Sequence, residues 1–343
     1  MTFSKRDTLI IKGIAVLMLV CHHLGMGVLL PPINWGKDPI LTIIATLCKV
    51  CVAIFVILSG YGINESRKRR TESDILFVKN HLLRLMKQFW FIFVIFVPLG
   101  FLCQWKPTEV YGGGGRGFLY FVIDFFGMKS LFNTPTMNQT WWYMETVIVL
   151  YIAYPLLRRL VKKLPVITLA AAFVPIILAA KDLNAGVIDG CREIYWVFPF
   201  AVGIFLSQHD VLNRFSAFCA GHGAFAAVLS LASVLAMTWA RSRAGLVLDT
   251  FYALAIIAFA KATVCKVKYA NSIFAYLGVH SANIFMMHSF LYCYFVPIKQ
   301  LLFAVANPYF NYIFLMLECV VVSDYIEVLK TRMRQTRFLA KLV

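Results

Sequence analysis

Charged residues are scarce in this chain of 343 residues, and acidic residues are scarcer than basic ones. Lysine, arginine, aspartate and glutamate together make up 14% of the sequence, against about 25% in an ordinary soluble domain. Hydrophobic residues make up 61%. A soluble globule of this size could not bury that much apolar surface. The composition therefore excludes a soluble protein and indicates a single integral membrane domain over residues 1–343.

The sequence also lacks the cysteine spacing of a disulfide framework or a zinc site. Its nine cysteines are scattered and lie mostly within apolar stretches, so we interpret them as small core residues. Cys48 and Cys51 form the one CxxC pair, and no second pair accompanies it. No metal site is therefore predicted.

Apolar stretches long enough to cross a bilayer of about 30 Å recur along the chain. The first of them is too long for a cleavable signal peptide and carries Lys12, His22 and His23, so we interpret it as a retained span. The segment 117–128 is apolar but too short to span. Windows bounded by proline, glycine and charge predict ten spans, at 9–30, 40–62, 87–105, 141–158, 164–181, 193–209, 218–240, 245–264, 272–295 and 300–326.

The net charge of +17 is explained by the distribution of basic residues between these spans. If the N-terminus is cytoplasmic, the inner segments hold 22 lysines and arginines and the outer segments hold nine. This asymmetry favours an even number of spans with both termini in the cytoplasm. We therefore predict an all-α fold, a polytopic bundle of about ten transmembrane helices, with its basic segments facing lipid rather than nucleic acid.

Ionisable residues inside a span are candidates for function, and the first span offers the best set. Lys12 and His23 are eleven residues apart, which is about three helical turns, so they lie on nearly one face about 16 Å apart along the axis. A cation near the cytoplasm and a deeper imidazole suit a two-ended substrate such as an acyl-CoA. A merely structural, packed His23 remains an alternative, and we interpret His22 as structural.

Motifs along almost the whole chain resemble the membrane acyltransferase 3 family. The first span has the family's basic residue, ten others and then histidine, and the later motifs follow in the family's order. The matching stretches are Lys12-Gly-Ile-Ala-Val-Leu-Met-Leu-Val-Cys-His-His23, Ile54-Phe-Val-Ile-Leu-Ser-Gly-Tyr61, Phe77-Val-Lys79-Asn-His-Leu-Leu-Arg84-Leu with Phe89-Trp90, Thr140-Trp-Trp142-Tyr-Met with Tyr151 and Pro155, and Leu277-Gly278, Ser281 and Ile284-Phe-Met-Met-His288.

The resemblance implies an O-acyltransferase, most simply an O-acetyltransferase, of a bacterial plasma membrane. Its donor would be acyl-CoA, expected to be acetyl-CoA, and no tightly bound cofactor or metal is implied. Its acceptor would be a hydroxyl on a cell-envelope polysaccharide, a lipid-linked glycan or a glycolipid. His23 would be the catalytic histidine and Lys12 and Arg84 would lie near the coenzyme A phosphates, while Ser59, Trp142 and His288 would line the site.

This sequence departs from the family pattern at several positions. Lys12 replaces the usual arginine, which keeps the charge but loses two-pronged recognition of phosphate. Asn80 and His81 replace a basic pair before Arg84. Many relatives carry an acid at the position of Val147, and this chain has none there; the nearby Glu145 is not assigned that role.

Other functions remain open at this stage. The same intramembrane charges would serve a transporter or flippase for a glycan precursor or acyl carrier, or the protein would be a non-catalytic scaffold. The roles of Lys49, Asp249 and Glu318 also stay open. Lys49 would either pair with a structural partner or bind phosphate. Asp249 and Glu318 would either make contacts between helices or serve in proton relay or acceptor binding. The sequence does not reveal the acyl group, the acceptor hydroxyl, the oligomeric state, or whether a covalent intermediate forms.

Overall fold

The computed structural model describes residues 2–27, 38–103, 105–180 and 192–335. Over these residues the protein is helical, with 86% helix and no strand, which confirms the predicted all-α class. Positions 28–30, 104 and 181 of the predicted spans lie outside the described residues, as does Cys191.

The helices are numbered in chain order. In the described ranges the α-helices are α1 Lys5–Gly25, α2 Pro39–Cys48, α3 Cys51–Lys68, α4 Asp74–Cys103, α5 Pro107–Tyr111, α6 Gly114–Phe125, α7 Trp142–Lys163, α8 Pro165–Ala180, α9 Val197–Gln208, α10 Val211–Gly221, α11 Gly223–Ala244, α12 Asp249–Ala262, α13 Lys268–Ser289, α14 Val296–Leu302 and α15 Pro308–Gln335. A π-helix, Phe290–Tyr294, follows α13 directly, and 3₁₀ turns lie at Gln139–Trp141, Arg192–Trp196, Gly245–Leu248 and Val264–Lys266.

Four helical segments of the described chain are long and apolar enough to cross a membrane: Lys5–Gly25, Pro39–Lys68, Asp74–Cys103 and Gly223–Lys266. Two shorter apolar helical segments lie at Pro165–Ala180 and Ile194–Gln208. These helices support a membrane protein. The count of ten spans and the cytoplasmic placement of both termini stay predictions.

Several predicted spans are broken in the structure. The span 40–62 consists of α2 and α3, separated at Lys49 and Val50, and the span 300–326 consists of α14 and the start of α15. α15 begins at Pro308, a residue that favours the first position of a helix because it has no N–H to leave unpaired. An average of hydropathy over about 19 residues passes over such breaks, because each break involves only a few residues.

The chain forms two compact units, which are described separately. The first consists of Met1–Met18, Leu47–Val78 and Thr146–Val279, and the second of Leu19–Thr46, Lys79–Glu145 and His280–Val343. Both candidate histidines belong to the second unit.

In the first unit, glycines allow α3 and α9 to pack with their backbones close together. A Cβ atom added at Gly60 would lie less than 3.0 Å from the carbonyl oxygen of Phe200, and one added at Gly203 would lie as close to the carbonyl oxygen of Ile57. Such small residues are common where membrane helices touch, because packing rather than hydrophobicity holds them together. The Ser59-Gly60 pair of the second motif thus lies at a close helix crossing.

Replacing Gly60 with alanine is expected to destabilise the protein, since the added methyl would overlap a backbone atom that cannot move alone. Overpacking of this kind costs about 1–3 kcal/mol. Gly62 is a matched control on the same helix, because a Cβ atom there meets nothing within 4 Å. We expect Gly60→Ala to lower the midpoint of thermal unfolding in detergent by several degrees and Gly62→Ala to leave it unchanged or slightly higher. Equal midpoints for the two variants would contradict the close packing.

The ion pairs of the first unit include one at the start of α12 and one at the start of α1. The buried guanidinium of Arg241 donates to the carboxylate of Asp249 at the start of α12. Lys261 donates to Asp7 at 2.8 Å. The first pair gives Asp249 an ion-pair partner, which is a polar contact of the kind considered for this residue in the sequence analysis. Breaking such a buried pair on one side is costly because it leaves an uncompensated charge.

The second unit contains a core of packed aromatic rings. Phe89 and Phe93 of α4 lie 5.0 Å and 5.3 Å, centroid to centroid, from the ring of Trp141. Phe290 of the π-helix lies 5.5 Å from the same ring. Trp141 is 1% exposed, so this ring is the centre around which α4 and the segment after α13 pack.

Candidate functional site

α1 presents His23 near its C-terminal end. The helix is started by a reciprocal cap in which the Ser4 hydroxyl accepts the N–H of Asp7 at 3.1 Å and the Asp7 carboxylate accepts the N–H of Ser4 at 2.7 Å. The apolar run that follows continues as helix through His23, whose side chain is buried. A buried imidazole in an apolar helix needs a hydrogen-bond partner.

α13 presents His288 in its last turn. This side chain is fully buried, and its Nδ1 lies 3.0 Å from the carbonyl oxygen of Ile284 and 2.9 Å from that of Phe285. Two residues later the backbone changes from α-helix to π-helix over Phe290–Tyr294. π-Helical turns occur frequently at functional sites, and this one directly follows the histidine.

The two histidines are hydrogen-bonded to each other. His288 Nε2 lies 2.7 Å from His23 Nδ1, and the ring centroids are 4.8 Å apart. The sequence predictions for these two residues placed them in one site, and the structure brings them into direct contact. The adjacent His22 has a different partner, since its Nδ1 lies 2.9 Å from the carbonyl oxygen of Ala45. A neutral imidazole has one nitrogen that donates a hydrogen bond and one with a lone pair that can take a proton, so a histidine pair offers both functions.

A polar network anchors the segment before α7 to the end of α13. The side-chain oxygen of Asn138 accepts hydrogen bonds from the hydroxyl of Ser289 at 2.9 Å and from the N–H of Thr140 at 3.0 Å. The indole N–H of Trp141 donates to the carbonyl oxygen of Met286 at 2.9 Å. These contacts fix the turn of helix that carries His288. Sequence reasoning did not select Asn138 or Ser289, although asparagine before a helix is a capping signal.

Asp124 holds the same segment through further hydrogen bonds. Its buried carboxylate accepts hydrogen bonds from the hydroxyl of Tyr111 at 2.6 Å, the hydroxyl of Thr136 at 2.7 Å and the N–H of Met137 at 2.9 Å. Asp124 lies in α6, outside the membrane-spanning segments. Burial raises the pKa of this carboxyl above its ordinary value, and the three donors oppose that shift. The carboxyl is therefore a structural anchor with all its contacts inside the protein.

The remaining predicted site residues lie on several helices. In the first unit, Lys12 is partly exposed on α1, and the Ser59 hydroxyl on α3 lies 3.1 Å from that of Tyr151. In the second unit, Arg84 is exposed on α4 and Trp142 is partly exposed at the start of α7. The substrate contacts of these four residues stay predictions.

Arg84 lies on a helix that is tied to α13 by polar contacts. One turn after Arg84, the side-chain amide of Gln88 donates to Asn283 at 2.7 Å. Asn283 in turn donates to Glu327 at 2.9 Å and accepts from Lys330 at 3.1 Å. These bonds join α4, α13 and α15 and hold the helix of Arg84 against that of His288.

Val147, at the family's acidic position, and the nearby Glu145 are both buried. Val147 is apolar, so it supplies no carboxylate. Glu145 accepts a hydrogen bond from the N–H of Ser130 at 2.7 Å, which fixes the turn before α7. The hydrogen-bond partner of His23 in this protein is instead a second histidine.

The long apolar helices indicate a membrane protein. The buried histidine pair is its candidate centre for proton transfer. A family model, described as an acyltransferase domain, matches residues 10–328. The chain therefore belongs to the acyltransferase 3 family and is a membrane acyltransferase. Neither the curated proteins nor the solved structures contain a match to it.

Proposed function

We propose that this protein moves an acyl group, expected to be acetyl, from acyl-CoA to a hydroxyl of a cell-envelope polysaccharide, lipid-linked glycan or glycolipid. The proposal is supported by the family match over residues 10–328 and, above all, by the buried contact between His23 and His288. The location we propose is a bacterial plasma membrane. The donor is a substrate, and the reaction needs no tightly bound cofactor.

In this reaction His23 is the general base. It takes the proton of the acceptor hydroxyl as that oxygen attacks the thioester carbonyl carbon. The carbon–sulfur bond then breaks, an ester forms, and the proton passes from His23 to the departing coenzyme A thiolate. His23 returns to its neutral state, so atoms and charge balance without any other reactant.

Lys12 and Arg84 are proposed to bind the coenzyme A phosphates. Both are cations, and hydrogen bonds from a cation to phosphate are stronger than those between neutral groups. Arg84 also has the planar guanidinium that matches two phosphate oxygens at once. Ser59, Trp142 and His288 are proposed to line the site, with His288 in contact with the base itself.

The acetyl-ester content of envelope glycans tests this function. We expect esters in cells that make the wild type and none above background in cells that lack it. At matched membrane levels, Lys12→Ala should lower the ester content partly, because the phosphate contact is lost, and Lys12→Arg should preserve it, because the charge remains. Equal ester content with and without the protein would contradict the proposed function.

A further inference from the structure

The proton positions on the two histidines follow from their hydrogen bonds. His288 Nδ1 faces the carbonyl oxygens of Ile284 and Phe285, at 3.0 Å and 2.9 Å. Carbonyl oxygens only accept hydrogen bonds, so His288 Nδ1 must carry the hydrogen. In a neutral imidazole the other nitrogen then has a free lone pair. His288 Nε2 is therefore an acceptor.

This assignment determines the proton on His23 as well. His288 Nε2 lies 2.7 Å from His23 Nδ1, and because the first atom is an acceptor the second must donate. His23 then carries its hydrogen on Nδ1 and a lone pair on Nε2. A base needs that lone pair, and the opposite tautomer of His23 would direct it at His288 instead of at a substrate.

The ring of His288 is held in place on several sides. Its Nδ1 is engaged by two carbonyl groups of its own helix, and its side chain is fully buried. The ring of Tyr292, one turn later, lies nearly parallel to it at 6.2 Å, and the ring of Phe285 meets it edge-on at 6.5 Å. A rotation of the His288 ring would break both carbonyl contacts and the contact with His23.

We infer that His288 is a positioning residue, which holds His23 in the Nδ1–H tautomer and thereby makes His23 Nε2 the catalytic base. The inference rests on the proposed function for its catalytic part. His288 performs the task that a carboxylate performs beside histidine in serine hydrolases, where loss of the correct tautomer lowers kcat by about 10⁴. Here the group that accepts the hydrogen bond from His23 is a neutral imidazole. The orientation of that ring is set by its contacts with the backbone of α13.

Nitrogen chemical shifts of the full-length protein in lipid nanodiscs test the tautomer directly. With ¹⁵N-labelled histidine, the signals of His23 are identified by their loss in His23→Gln. We expect a protonated Nδ1 and an unprotonated Nε2 for His23 in the wild type. A protonated Nε2 with an unprotonated Nδ1 would overturn the inference, whatever the activity of the protein.

Two variants of His288 test its effect on catalysis. The side-chain amide of glutamine lies about where Nε2 lies in histidine, whereas that of asparagine lies about where Nδ1 lies. His288→Gln therefore keeps an acceptor for His23, and His288→Asn does not. With radiolabelled acetyl-CoA and the host's own envelope glycan, we expect kcat to fall about 10²-fold in His288→Asn and less than about tenfold in His288→Gln.

The KM for acetyl-CoA is expected to stay within about twofold in both variants, because neither change removes a phosphate contact. Equal loss of kcat in the two variants would overturn the positioning role. If the wild type itself transferred no acetyl group, the proposed function would fail, while the nitrogen shifts would still decide the tautomer.

Discussion

Replacing His23 with glutamine will lower the rate of acyl transfer by about 10²–10⁴-fold, the range that a general base contributes. Glutamine has a similar length and keeps polar atoms, but its amide cannot take a proton near neutral pH. The loss should therefore appear in kcat, with little change in the KM for acyl-CoA. The measurement is the initial rate of ester formation at matched amounts of membrane protein.

His22 provides the control for this result, because it is the adjacent residue and has the same chemistry. Its Nδ1 contacts the carbonyl oxygen of Ala45 rather than a second histidine. We expect His22→Gln to change the rate no more than a few-fold. Comparable losses in the two variants, or an active His23→Gln, would contradict the assignment of the base.

Replacing Asp124 with alanine will destabilise the protein strongly, since the carboxylate accepts three buried hydrogen bonds. The change leaves the hydroxyls of Tyr111 and Thr136 and the N–H of Met137 without that acceptor. An unsatisfied buried donor costs about 1–3 kcal/mol, so the total loss is on the order of several kcal/mol. Asp124→Ala should lower the midpoint of thermal unfolding in detergent by clearly more than Gly60→Ala does.

Glu109 is a suitable control for Asp124, because it is an acid in the preceding helix, α5, and it is exposed. Its carboxylate accepts one hydrogen bond, from the N–H of Lys106 at 3.0 Å. Glu109→Ala should cost no more than about 1 kcal/mol, as loss of a helix cap does. If Asp124→Ala and Glu109→Ala unfolded at the same temperature, the anchoring role of Asp124 would be wrong.

The fold class was predictable because hydropathy depends on composition over windows of about 19 residues. The breaks within the predicted spans were not predictable, and the interruption at Lys49 and Val50 is an example. A break changes the hydrogen bonds of only a few residues within an apolar run. The apolar segment 117–128 was predicted to be too short to span, and the helix found there, α6 over Gly114–Phe125, has 12 residues.

The candidate site was predictable only in part. The motif resemblance selected both His23 and His288, which are 265 residues apart in the chain, but it gave no contact between them. That contact requires two helices to pack in one register, which no local pattern encodes. Ser289 and Asn138 were missed for the same reason, because a hydroxyl and an amide 151 residues apart become partners only after folding.

The structure adds a contact for a tryptophan that the motif resemblance left unassigned. The sequence comparison assigned Trp142 to the site, whereas the structure shows its neighbour Trp141 buried against the helix of His288. Adjacent residues on a helix point about 100° apart, so a motif that identifies the pair does not tell which ring faces the site. Trp142 stays a prediction, and Trp141 has a demonstrated structural contact.

The most direct test of the central claim uses the purified protein in lipid vesicles with acetyl-CoA and envelope glycan. Released coenzyme A thiol and newly formed glycan ester are measured in the same sample. Acyl transfer by this protein predicts that the two products appear in equal amounts and that both form at least about 10²-fold more slowly with His23→Gln. Glycan that crosses the vesicle membrane with no release of coenzyme A, or thiol release with no ester, would contradict it.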